Sequence, residues 1–169
     1  MKDYIKKYLP ALILTILLIS LDQITKAIAR NELTDRTVII LEGIFEFKLV
    51  FNTGVAWGMF NSSQYFVSIL SILIMIFVLF VFIKIPYEKK RLRPLGIMLI
   101  LIFSGAVGNL TDRIFMSSVT DFLYFKLINF PVFNVADIYI TVSGIVTAIL
   151  LIFYYKEDDL DFLKFRKKK

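Results

Sequence analysis

Apolar positions in this chain come in long unbroken runs instead of the short alternations of a water-soluble fold. A bilayer core of about 30 Å needs about 20 mostly apolar residues per helix. Four stretches reach that length, residues 9–29, 65–83, 94–111 and 138–155. The first is free of charge only as far as Leu21 and then carries Asp22 and Lys26. The pattern predicts an all-α integral membrane protein with four transmembrane helices, forming one membrane-embedded domain over residues 1–169. Residues 31–64 and 113–137 then join the spans on the face opposite the termini.

The first of these joining segments has a period of its own. Phe45, Phe47, Leu49 and Phe51 alternate with Glu46, Lys48 and Val50, the period-two pattern of a strand with one apolar face. It predicts a small extracytoplasmic β-sheet between helices 1 and 2, lying on the membrane surface. Asn61-Ser62-Ser63-Gln64 reads as an N-cap with a capping-box partner ahead of the second span. Residues 113–137 carry little but aromatic and aliphatic side chains around two acids, Asp121 and Asp137.

Charge sets the expected orientation. Lys and Arg accumulate on cytoplasmic flanks. Fourteen of the twenty lie in the N-terminal flank, in the segment between the second and third spans, or in the C-terminal tail. Only Arg30, Arg36, Lys48, Arg113 and Lys126 lie on the opposite side, and Lys26 is inside the first span. Both termini are therefore expected in the cytoplasm, on a multi-pass membrane protein. On this distribution the net charge of +6 is a topology signal whose partners are membrane lipids, not nucleic acid. The basic start, the apolar run and Ala27-Ile28-Ala29 also fit a cleavable signal peptide, but Asp22 and Lys26 would then stand where small neutral residues are expected.

Composition narrows the chemistry. The chain is 58% hydrophobic and 20% charged, with no Cys and no His. Disulfides, structural zinc, Cys nucleophiles, Ser-His-Asp triads and His-ligated metals are excluded. Acid–base work then falls to Asp, Glu, Lys, Tyr or water.

Acids within or beside a span are costly, by about 2.5–3.5 kcal/mol at mid-helix. Asp22, Asp112, Asp121 and Asp137 all fall at the outer ends of spans or in the segment joining two of them. Asp22 and Lys26 share a helix face at i,i+4, which leaves two readings: mutual neutralisation or service in a site. Asp112 and Arg113 follow Asn109 at the end of the third span, where a solvated helix end is one reading. An acid near a helix C-terminus opposes the dipole, so Arg113 or Lys26 is needed as partner. Asn134 reads as an N-cap with Asp137 at N3, a placement that also keeps Asp137 ionised. Asp121, among Val119, Phe122 and Leu123, is expected to hold its proton. One ionised and one protonated carboxyl is the arrangement by which aspartic proteases activate water.

Small and amide residues form a further pattern. Asn52-Thr53-Gly54-Val55-Ala56-Trp57-Gly58 is too small and polar for a plain surface strand. Gly105, Gly108 and Asn109 lie on one side of the third span. Close helix packing explains such glycines, whereas an intramembrane Asn needs a hydrogen-bonding role.

In order along the chain, five blocks resemble the lipoprotein (type II) signal peptidases of bacteria: Asp22–Lys26, Asn52–Gly58, Gly105–Arg113, Val119–Phe122 and Phe133–Asp137. The resemblance implies an intramembrane aspartic endopeptidase that removes the signal peptide from diacylglyceryl-modified prolipoproteins, cutting before the lipidated cysteine. Asp121 and Asp137 match the catalytic pair. Asp22, Asn52, Asn109, Asp112, Arg113 and Asn134 match supporting positions, to which Lys26 and Gly54 are added as candidates. The implied fold is four helices with a small sheet and a short further helix near Trp57, without metal or cofactor, acting as a monomer. Ser104 and Ser117 stand where the family often has glycine; the second bears on the turn that carries Asp121. The competing class is a small proton- or ion-coupled transporter using Asp22, Lys26 and Asp112.

Overall fold

The computed structural model describes residues 2–54, 63–86 and 88–164. Four long helices dominate: α1 (Lys2–Glu32), α2 (Ser63–Lys84), α3 (Arg93–Met116) and α4 (Val135–Ile149). Each anchors a stretch long and apolar enough to cross a membrane, residues 5–32, 65–84, 90–116 and 135–154. Their large apolar side chains point outward, as Leu17, Phe77 and Phe153 do. That distribution suits lipid and would be untenable in water. The expected capping residues 61–62 and the segment around Trp57 lie outside the described residues.

α3 is the hub, packing against α1, α2 and α4. Gly105, Gly108, Asn109 and Asp112 recur on it at i, i+3, i+4 and i+7, one continuous face that is buried. A side-chain carbon on Gly105 would come within 2.6 Å of the Ala136 carbonyl of α4. On Gly108 it would overlap the carboxylate of Asp22. The close-packing reading of both glycines therefore holds, and Gly108 also makes room for a charged group. Ser104 is buried but satisfied within its own helix, donating to the Ile100 carbonyl at 2.8 Å.

α3 continues past Thr111 to Met116, so Asp112 and Arg113 lie inside the helix and not at a solvated end. It stops at Ser117, whose φ of +57° is left-handed and whose N–H returns to the Arg113 carbonyl at 3.1 Å. Left-handed backbone costs a residue with a β-carbon about 1 kcal/mol or more. Ser117→Gly is accordingly expected to raise stability by about 1 kcal/mol, read as a higher thermal midpoint in detergent. An unchanged or lower midpoint would refute strain at this turn.

The sheet has three antiparallel strands in the order β1 (Val38–Leu41), β2 (Phe45–Asn52) and β3 (Val119–Phe125). Its first two strands lie between α1 and α2 as the alternation predicts, but the third comes from the segment between α3 and α4. β2 does not alternate cleanly. Phe47 pairs with Leu123 and Val50 with Asp121, which leaves one extra residue in β2 between the pairs. An extra residue exchanges the faces of everything beyond it. Phe51 consequently leaves the face of Phe45 and Phe47 and is 52% exposed, while Asn52 joins the face of Asp121. Glu46 is buried despite its charge because Lys126 pairs with it at 2.6 Å.

Two apolar clusters bracket the molecule. Where α1 meets the sheet, Ala29, Leu33 and Phe122 pack together, with Phe47, Leu123 and Val135 against them. At the other end Val78, Val81, Ile85, Leu92, Leu95 and Leu99 surround Tyr155, whose hydroxyl accepts the Leu95 N–H.

Candidate active site

The polar residues meet beneath the sheet, where α1, α3 and the start of α4 converge. Asp121 comes from the middle of β3 and is 2% exposed; Asp137 comes from the first turn of α4 and is half-buried. Asn109 and Asn134 link them. Asn134 donates its amide to Asp121 Oδ1 at 2.6 Å and to Asn109 Oδ1 at 3.1 Å. Asn109 in turn donates to Asp137 Oδ1 at 2.8 Å. Asn52, delivered by the bulge, donates to Asp121 Oδ2 at 2.9 Å.

An amide can present either its oxygen or its nitrogen, so something must fix which end meets each acid. Behind each of the three stands a group that can only donate. Lys26 Nζ reaches Asn109 Oδ1 at 2.8 Å. The Asp137 backbone N–H reaches Asn134 Oδ1 at 3.0 Å, and the Gly54 N–H reaches Asn52 Oδ1 at 2.9 Å. Each amide oxygen is thereby occupied from behind and each NH2 faces a carboxylate. Gly54 contributes only backbone, at a φ of +78° that favours glycine.

Asp137 has a second attachment. Its Oδ2 accepts the Asn134 N–H at 3.1 Å while Asn134 caps the Asp137 N–H, completing a capping box on α4. The N-cap reading is correct, and the same hydrogen bonds fix where this carboxylate sits.

Under the acids lies a buried ion cluster. Lys26 contacts Asp22 at 2.9 Å and Asp112 at 3.5 Å, all three with essentially no exposed side chain. Backbone donors complete the two carboxyls. Asp22 accepts the Ala136 N–H at 3.0 Å, at the positive end of α4, and Asp112 accepts the Thr120 N–H at 2.9 Å. The cluster therefore ties α1 to α3, to the start of α4 and to β3. Arg113, one turn beyond Asn109, donates to its carbonyl at 3.5 Å and stands within electrostatic reach of Asp112, Asp121 and Asp137.

Every one of the ten candidate residues thus falls into a single constellation. The candidates omit three others. Gln23 donates to Asp22, to the Gly108 carbonyl and to Asp112 at 3.1–3.2 Å. Arg30 donates to the Thr120 hydroxyl at 2.9 Å. An amide beside Asp22 in an apolar span was the available signal for Gln23. Nothing local marks Thr120, whose main contact is through its backbone.

Burial pushes the Asp121 carboxyl up to about 6. The amide of Asn52 works against that rise, the charge of Asp137 adds to it, and the amide of Asn134 opposes it. Among the described residues no cluster of acids could hold a metal ion.

Comparison with known proteins places this geometry. A family model described as signal peptidase (SPase) II matches residues 14–153. The lipoprotein signal peptidase of Clostridium tetani is 36% identical over 154 residues, covering 87% of this chain and 93% of that protein. That of Clostridioides difficile is 33% identical over 145 residues, covering 85% and 95%. Two solved bacterial membrane enzymes share the fold, with TM-scores of 0.75 and 0.72 at 24% and 27% identity; they cover 86% and 95% of this chain and 94% of their own.

Four membrane helices with a three-stranded sheet are the fold of a bacterial membrane protein, and the family match makes that protein a peptidase. Within that class the chain belongs to the signal peptidase II family, the family of the lipoprotein signal peptidases.

Proposed function

We propose that the whole chain is one aspartic peptidase domain that removes the signal peptide from diacylglyceryl-modified prolipoproteins, cutting before the lipidated cysteine. The carrying observation is the three-amide frame that aims NH2 groups at one buried and one half-buried carboxyl. Asp137, bonded by Asn109 and by the Asn134 N–H, is the base. It takes a proton from water as the water oxygen attacks the scissile carbonyl carbon. Asp121, in the drier position, gives its proton to the carbonyl oxygen. The tetrahedral intermediate then collapses as Asp137 passes its proton to the leaving nitrogen, and the proton on the former carbonyl oxygen returns to Asp121.

The lysine and arginine distribution supports cytoplasmic termini, which puts the acids at the outer leaflet of the cytoplasmic membrane. A lipid-anchored peptide bond would lie at that level. A transporter would need charged groups at several depths, whereas Asp22, Lys26 and Asp112 close on one another in one ion cluster.

The test is the pH dependence of prolipoprotein cleavage. With Asp121 as the acid, kcat/KM falls as pH rises through about 6, where the free enzyme loses that proton. Stability should follow the same group. Folded Asp121 holds its proton to higher pH than the unfolded chain does, so this contribution is complete below about 4 and is lost as pH climbs to about 6. Asp121→Asn removes the term, so wild type should lose stability relative to the variant across that window. A kcat/KM that is flat from pH 4 to 8 would refute Asp121 as the proton donor.

A further inference from the structure

The opposite end of the bundle carries a feature that peptide cleavage does not use. α1 and α2 both pack on α3 and scarcely on each other. Between them opens a cleft of about 720 Å³, walled by Leu9 and Leu12 of α1, Val78 and Phe82 of α2, and Leu99 and Phe103 of α3. It runs along α1 from Ile5 to Thr15. Ten residues of helix rise about 15 Å. That is half of a hydrocarbon core of about 30 Å, the depth of one leaflet.

A second cavity of about 250 Å³ shares Ala11, Phe82 and Ile100 with the first and leads to the end of the bundle. Lys7, Lys89 and Arg93 line it, and among the described residues no acid does. Lys7 donates to the Ile83 and Ile85 carbonyls at 2.9 and 2.6 Å, which holds its ammonium at the mouth of the cleft. Lys89 donates to the Asp158 carbonyl at 3.2 Å, a bond that leaves its charge unneutralised. Two of the described acids at this end are engaged or peripheral: Asp159 pairs with Arg91 at 2.9 Å, and Glu88 acts on Lys7 only at a distance.

From this geometry we infer that the α1–α2 cleft is a binding site for one anionic phospholipid of the leaflet at that end, its acyl chains between α1, α2 and α3 and its phosphate on Lys7, Lys89 and Arg93. Basic pockets between transmembrane helices are how anionic headgroups are selected. A transmembrane helix is a poorer occupant. Helix interfaces in membranes need small residues for close approach, and eleven of the thirteen residues of these walls are larger aliphatic or aromatic side chains, with only Ala11 and Thr15 small. A flexible chain conforms to such a surface where a rigid helix cannot.

The probe is phosphatidylglycerol, with phosphatidylcholine of the same chains as its uncharged counterpart. Purified protein in neutral detergent is titrated with each, and retained lipid is counted by native mass spectrometry alongside the thermal midpoint. One phosphatidylglycerol should be retained saturably and raise the midpoint, with phosphatidylcholine at least tenfold weaker. Lys89→Gln with Arg93→Gln, both on the surface, should weaken phosphatidylglycerol binding about 25-fold, taking about fivefold for each charge removed. Leu12→Trp should fill the cleft and abolish saturable retention. Cleavage of detergent-dispersed prolipoprotein should stay unchanged in both variants, because the acids lie at the far end. Equal retention of the two lipids, or wild-type binding by the double variant, overturns the site. So does a stable dimer or a co-purifying hydrophobic peptide that Leu12→Trp displaces, since the cleft would then hold protein.

Discussion

Replacing either carboxyl with its amide is expected to lower prolipoprotein cleavage by about 10³-fold or more while the protein still folds, since positioned acid–base groups contribute about 10²–10⁴-fold each. Asn keeps the shape of Asp in both places. At residue 137 its oxygen can still accept the Asn134 N–H, so the capping box on α4 survives. At residue 121 it can still accept from Asn52 or Asn134. What each variant loses is the proton chemistry. Cleavage rates measured beside thermal midpoints separate the two roles. If Asp137→Asn folds and keeps most of its rate, Asp137 is a helix cap only and the pair is wrong.

The second large effect lies beneath the pair. Lys26→Met keeps the length of the side chain and removes the only cation in the Asp22–Lys26–Asp112 cluster. Stripping one partner from a buried ion cluster costs about 3–5 kcal/mol, because the remaining charges stay buried without compensation. A fall of that size in unfolding free energy is expected in detergent. Activity should fall further than stability explains, because Lys26, together with the Asn134 amide, holds the Asn109 oxygen away from Asp137. Neutralising the two acids as well, with Asp22→Asn and Asp112→Asn, should restore much of the stability and little of the activity. A triple variant that regains full activity would show that Lys26 does not orient Asn109.

The reach of the sequence differs from element to element. The four spans are legible because crossing a bilayer demands a length that no other element needs. The acids stand out because a charge in an apolar run is too costly to be idle. β3 is hidden for the opposite reason. Its residues 119–122 are buried on both faces, under α1 and α3, so they show no alternation. The extra residue in β2 is equally silent, since Lys48-Leu49 reads as an ordinary step in the pattern and the register is decided by pairing with Leu123 and Asp121. Asp112 looks terminal because hydropathy falls at Thr111, yet tertiary partners carry the helix five residues further. The orientation of the amides lies beyond pattern reading altogether. It follows from Lys26 and from two backbone N–H groups that only the fold brings behind Asn109, Asn134 and Asn52.

Mass spectrometry of the products released by purified wild-type protein from a diacylglyceryl-modified prolipoprotein in detergent tests the central claim most directly. The predicted result is one cut, immediately before the lipidated cysteine, in wild type and in neither Asp121→Asn nor Asp137→Asn. A folded wild type that leaves the lipidated substrate intact, or that cuts it equally well without either carboxyl, would contradict the account.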